Sequence, residues 1–139
     1  MAAYNKFEVF SENLAEKVHD LNADQLEVYL SNAVPSASAD AVKADLAEIA
    51  TGNGYTGPQD TQNATSRAGG TTTVTAVDVV VTASGGTVGP FQYVVLQNTT
   101  PTSPLDPLIG WWDYGTPLTL NSGETFTIDF AGNALMTIA

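Results

Sequence analysis

The chain has no cysteine, which excludes a disulfide framework, a thiolate nucleophile and any Cys-ligated zinc or iron–sulfur site. It is also poor in cations. Lys6, Lys17, Lys43 and Arg67 stand against fifteen acidic residues, for a formal net charge of −11, and residues 68–139 carry no cation at all. Affinity for phosphate backbones comes from Lys and Arg that release counterions, so neither nucleic acid nor an anionic membrane surface is expected as a partner. A single histidine, His19, rules out a multi-His metal centre within one chain. No window approaches the ~18 apolar residues of a membrane span. The opening Met-Ala-Ala-Tyr-Asn-Lys-Phe-Glu lacks the apolar stretch of a signal peptide, so the expectation is a soluble product made in a cytoplasm.

What is present is a foldable domain. The 139 residues are 43% hydrophobic, with five Phe, five Tyr and two Trp. A chain of this length buries roughly two-thirds of its unfolded surface, enough for one self-sufficient core. The expected architecture is mainly β over residues 1–139, an antiparallel β-sandwich or jelly-roll-like barrel, with one or two short helices in the N-terminal third. Residues 1–50 carry nine of the fifteen acids and mixed periodicity. Phe7 and Val9 alternate with Lys6, Glu8 and Phe10 and predict a short strand over 6–10. Ser11 then caps a helix with Leu14, Val18 and Leu21 on one face. Leu26, Val28 and Leu30 predict a half-buried strand stopped at Pro35, and Asp40 caps a second helix over 40–50 with Val42, Leu46 and Ile49 inward.

Residues 51–70 have almost no large apolar groups and predict an exposed loop. From 71 to 83, Val74 and Ala76 lie on one parity and Val77, Val79 and Val81 on the other. That phase change implies a bulge near Ala76–Asp78 or burial on both faces. Further strands are predicted at 91–96, 108–114, 118–120, 125–130 and 134–138. Ser84-Gly85-Gly86 and Asn121-Ser122-Gly123 act as turns, and Ala131-Gly132-Asn133 as a hairpin tip.

The candidates for chemistry are few. His19 sits between Val18 and Asp20, where a solvated or partly packed ring competes with a general base. Asp113, Glu124 and Asp129 lie in or beside aromatic-bearing strands and suit a glycosidase-like pair, but equally the outward parity of a strand or a turn. A loose oxygen-ligand calcium site at the Asp106 or Asp60 loop stays open. Asn63-Ala64-Thr65 and Asn98-Thr99-Thr100 match the glycosylation tripeptide, though in a Thr-rich chain lacking a secretory signal chance accounts for them. No catalytic residue, cofactor or metal is assigned.

The most informative segment is Asp106-Pro-Leu-Ile-Gly-Trp-Trp-Asp-Tyr-Gly115. Strict alternation puts Leu108, Trp112 and Tyr114 on one face of a strand, and Ile109 and Trp111 on the other. Leaving an indole in water forfeits about 150–250 Å² of burial, roughly 4–6 kcal/mol. The second face therefore needs a cover: an N-terminal helix, a loop or another subunit. Phe91, Tyr93 and Val95 against Val94 and Leu96 repeat the two-sided pattern. Trp111, Trp112, Tyr114, Phe91 and Tyr93 are accordingly the candidate interface residues.

Four segments carry a resemblance. Asn53-Gly54-Tyr55-Thr56, Thr82–Tyr93, Asp106–Gly115 and Gly123–Phe130 are together similar to a family of small tailed-bacteriophage virion proteins, described as head decoration, cement or structural proteins. Similar proteins often have a glycine pair where this chain has Gly57-Pro58-Gln59-Asp60. The resemblance implies no catalytic residues. It implies a protein of the virion, on the outer surface of the capsid, that binds the major capsid protein and bridges its subunits. Closed symmetry adds self-association, as a homotrimer or a dimer. A tail or neck component and a carbohydrate-binding β-sandwich module are the competing readings.

Overall fold

The computed structural model describes residues 2–139. Ten strands and one α-helix account for its regular structure: β1 Tyr4–Lys6, α1 Val9–Ala15, β2 Leu26–Ser31, β3 Gln59–Asp60, β4 Ala64–Ala68, β5 Thr71–Thr75, β6 Val79–Thr82, β7 Val88–Asn98, β8 Leu108–Leu120, β9 Thr125–Ile128 and β10 Ala134–Ile138. All strand pairs are antiparallel. A five-stranded sheet runs β1-β8-β7-β2-β3, and two smaller ladders run β10-β5-β4 and β6-β9. One face of the large sheet packs on the smaller ladders through a cluster that includes Val28, Leu30, Val94, Leu96, Ile109 and Trp112 on one side and Val74, Val79, Val81, Ile128, Phe130 and Leu135 on the other. The fold is mainly β and sandwich-like, with a single α-helix near the N-terminus.

The opposite face of the large sheet is covered as well. Phe7, Tyr29, Leu46, Tyr93, Val95 and Leu108 form a second buried cluster, with Val9 and Trp111 packed against it. The cover comes from the chain's own residues 7–9 and 43–47, not from a second subunit. β2 is consequently buried on both faces, not half-buried as its alternation predicts.

Several expected elements move for identifiable reasons. The first strand lies at Tyr4–Lys6, not over 6–10, because the Phe7 amide donates to the Ile109 carbonyl while Phe7 itself turns into the second cluster. The helix begins at Val9 without a side-chain cap and stops at Ala15, where Lys17 takes a positive φ of 65°. The expected helix over 40–50 is one 3₁₀ turn at Lys43–Asp45. Its backbone finds partners elsewhere. Asp45 accepts from the amides of Ala41 and Val42, the Tyr29 hydroxyl donates to the Leu46 carbonyl, Ser31 Oγ donates to Ala47, and the Ile49 amide donates to Leu30.

The stretch 51–70 is not simply a loop. β3 adds to the edge of β2, and β4 forms a hairpin with β5 whose outer residues are mostly exposed. The Ala-Thr-Ser-Arg-Ala sequence of β4 buries little, so hydrophobic patterning gives no signal for it; the backbone ladder holds it. The phase change at Ala76–Asp78 marks a crossing between ladders. The Ala76 amide donates to Asn133 and the Phe130 amide to Asp78 Oδ1, so the β5–β6 and β9–β10 junctions pass side by side. Ala131–Asn133 is therefore a 3₁₀ turn between two ladders and not a hairpin tip.

Candidate docking groove

β8 decides which aromatic residues are available. Its register against β7 slips between Leu96–Gly110 and Gln97–Leu108, which inserts Ile109 as an extra residue. The bulge reverses the expected parity. Leu108 and Trp111 share the second cluster, whereas Ile109 and Trp112 share the first. Gly110 makes this possible, since a Cβ there would sit 2.2 Å from the Tyr4 ring and 2.6 Å from the Asn5 carbonyl oxygen. Trp112 then lies between Tyr4 and Phe130, at ring-centroid distances of 5.5 and 5.6 Å, and Trp111 packs on Phe7 at 4.6 Å.

Of the five candidate interface residues, the structure removes three from the surface. Phe91 is 0%, Trp112 6% and Tyr93 7% exposed, because both faces of β7 and β8 are enclosed by the same chain. Trp111 is half-buried. Tyr114 alone stands out, 52% exposed. A second irregularity in β8 presents it: pairing jumps from Tyr93–Asp113 to Phe91–Leu118, so residues 114–117 protrude. Asp113 Oδ1 shapes this protrusion by accepting from the Gly115 amide at 2.7 Å and from Gln92 at 3.0 Å, and Gly115 takes a φ of 98°.

Tyr114 meets Phe126 of β9 edge-on at 5.7 Å, and Phe126 in turn meets Phe91 at 5.0 Å. Between them opens a mainly apolar groove of about 260 Å³ at the seam where β8 and β9 face each other without a ladder. Val94 and Trp112 line it from the large sheet, Phe126, Thr127 and Ile128 from β9 and Asp129 from just beyond it, and Ala2 and Tyr114 complete it. Sequence reasoning found Trp112 and Tyr114 but missed Phe126 and Ile128, whose contribution depends on how the β6–β9 ladder sits across the seam.

Most of the remaining candidates are held in hydrogen bonds of the fold. His19 is 6% exposed; its Nδ1 lies 3.0 Å from Asn98 Nδ2, which also donates to Asp24 at 2.7 Å. With Nδ1 accepting, the ring proton resides on Nε2. Burial pulls the imidazole pKa below its ordinary value, against a smaller opposing pull from Asp24. Asn98 is fully buried and Asn63 donates to the Leu21 and Asp24 carbonyls, so both tripeptide asparagines are tied into the fold. Glu124 accepts from the Asn121 amide at a turn. Asp129 is exposed on the groove wall, and among the described residues no three His or carboxylate side chains converge, at Asp106, Asp60 or elsewhere. No helix among the described residues is long and apolar enough to cross a membrane.

The Asn53–Thr56 segment is a clamp. Ser84 donates to the Asn53 carbonyl, Asn53 Nδ2 donates to the Thr87 carbonyl, and a Cβ on Gly54 would strike the Thr82 carbonyl oxygen at 2.0 Å. Tyr55 reaches inward; its hydroxyl accepts from the Leu30 amide at 3.0 Å and donates to Glu48, which pairs with Lys43 at 2.8 Å. Comparison with protein-family models, curated proteins and solved structures found no match to this chain.

Proposed function

We propose that the chain is a head decoration protein of a tailed bacteriophage, bound to the outside of the expanded shell and bridging major capsid protein subunits. The observation that carries the reading is spatial. The four segments that bear the resemblance meet pairwise. Asn53–Thr56 locks against Thr82–Thr87, and Asp106–Gly115 meets Gly123–Phe130 through the Trp112–Phe130 and Tyr114–Phe126 contacts. One pair stiffens the domain and the other builds the groove. A rigid sandwich with a small apolar seam and a strong negative charge suits a role in which contact area, not chemistry, resists internal pressure. The lack of cations from residue 68 onward suits a site away from packaged DNA.

Copies are placed at the shell's symmetry positions, as trimers or dimers, on closed-symmetry grounds alone. The aromatic surplus that first argued for self-association is taken up inside the fold. The carbohydrate-binding reading also loses its footing, since it needed several exposed rings and Tyr114 is the one large aromatic that is mostly exposed. The test is cosedimentation of the purified protein with heads of the encoding phage. Saturable binding to mature heads and weaker binding to immature ones is expected. Copies found only on tails, or no affinity for heads, would overturn the proposal.

A further inference from the structure

We infer that the groove between β8 and β9 holds an extended cationic segment of the capsid partner, inserted as an apolar side chain flanked by lysine or arginine. The inference rests on the decoration reading for the identity of the partner, but not for its chemistry.

Size comes first. At about 260 Å³ the groove falls below the ~300–1,000 Å³ usual for small-molecule sites, and it suits one or two side chains of a peptide. Shape agrees with this. Four consecutive residues, Phe126 to Asp129, form one wall, and β9 is hydrogen-bonded to β6 on one side only. An open strand edge beside an apolar slot is the arrangement that accepts an extended chain.

Charge selects among extended chains. Exposed Asp129 lines the groove, whereas Asp113 lies outside its lining, with Oδ1 taken up by Gln92 and the Gly115 amide. No basic residue lies on β7, β8 or β9 or anywhere else after Arg67. Lys43 is engaged with Glu48 over the Tyr29 ring, in the second cluster on the other face of the sheet, and Lys6 Nζ is turned toward Ser11. Among the described residues, no lysine or arginine lines the groove beside Asp129. A second copy of this chain, also at −11, would bring like charge to the same seam, so the occupant is a different, basic chain.

The test has two arms. In the first, the protein is titrated with a blocked heptapeptide carrying a central leucine between lysines, and with the same peptide bearing glutamates. Amide shifts are followed by NMR. The lysine peptide is expected to bind at least about tenfold more tightly, with shifts concentrated at Ala2, Tyr114 and Phe126–Asp129. Equal binding of the two peptides, no binding, or shifts elsewhere would overturn the inference. In the second arm, Tyr114→Ser and Asp129→Lys, both at exposed positions and checked for unchanged melting, are compared with the parent for head binding. Loss of about tenfold or more in either supports the inference. Unchanged head binding in both overturns it while leaving the decoration reading intact. If the lysine peptide binds the groove but the parent protein does not bind heads, the decoration reading fails and the inferred chemistry stands.

Discussion

Individual side chains in this protein act mainly by satisfying buried backbone. Tyr55 is the clearest case, since its hydroxyl is the partner of the Leu30 amide in the interior of β2. Burial and the adjacent Glu48 carboxylate push that phenol's pKa well above its ordinary value, so it stays a neutral hydroxyl at any working pH. Tyr55→Phe keeps the ring and strands the amide, which is expected to cost about 1–3 kcal/mol in urea unfolding. His19 makes stability depend on pH. Its folded pKa lies below the unfolded value of about 6.5, so the unfolded chain takes up the proton more readily. The stabilisation is complete above about pH 6.5 and is lost as the pH falls through the folded value. Lower pH also relieves the repulsion of a chain at −11, so the useful quantity is a difference. Between pH 7.5 and 5.0 the parent should lose more stability than His19→Gln, measured by urea unfolding at each pH.

At the scale of elements, irregularities in pairing do most of the positioning. The bulge at Ile109 puts Trp112 on the face of Ile109 and Trp111 on the face of Leu108, and the slip at 114–117 lifts Tyr114 to the surface. Gly110 is the residue on which the first of these depends. Gly110→Ala would drive a methyl into the Tyr4 ring and the Asn5 backbone, and β1 would have to leave β8. The expected outcome is a destabilisation of about 1–3 kcal/mol, with red-shifted tryptophan emission as Trp112 loses its cover. An unchanged melting temperature and emission maximum would contradict this account. The β4–β5 hairpin is the opposite kind of element, exposed and held by its ladder, so hydrogen exchange should find β4 among the least protected strands.

For the whole molecule, two clusters on opposite faces of one sheet give a domain that hides most of its large aromatics without help, Tyr114 excepted. What it presents instead is charge and one apolar seam. Head binding should accordingly weaken as salt rises from about 50 to 500 mM, because the Debye length shrinks from roughly 14 to 4 Å and screens the rim more than the buried contact. Sedimentation with heads across that range checks it. Salt-independent binding would assign the affinity to apolar contact alone.

The sequence by itself determined the β class, the absence of thiolate chemistry, the scarcity of cations and the need for cover on both faces of the Trp111–Trp112 strand. These follow from composition and from the period of side chains along an extended chain, which are local properties. Tertiary structure decided what supplies that cover. Phe7, Val9 and Leu46 do so from segments that local periodicity assigned to a strand or a helix. It also decided the parity of β8, because a one-residue bulge exchanges the faces of every residue on one side of it and is set by pairing with β7 rather than by any residue's own preference. The groove is a consequence of the same kind. Phe126 and Ile128 become groove walls because the β6–β9 ladder packs across from Trp112, a juxtaposition of residues more than ten apart that no periodicity encodes.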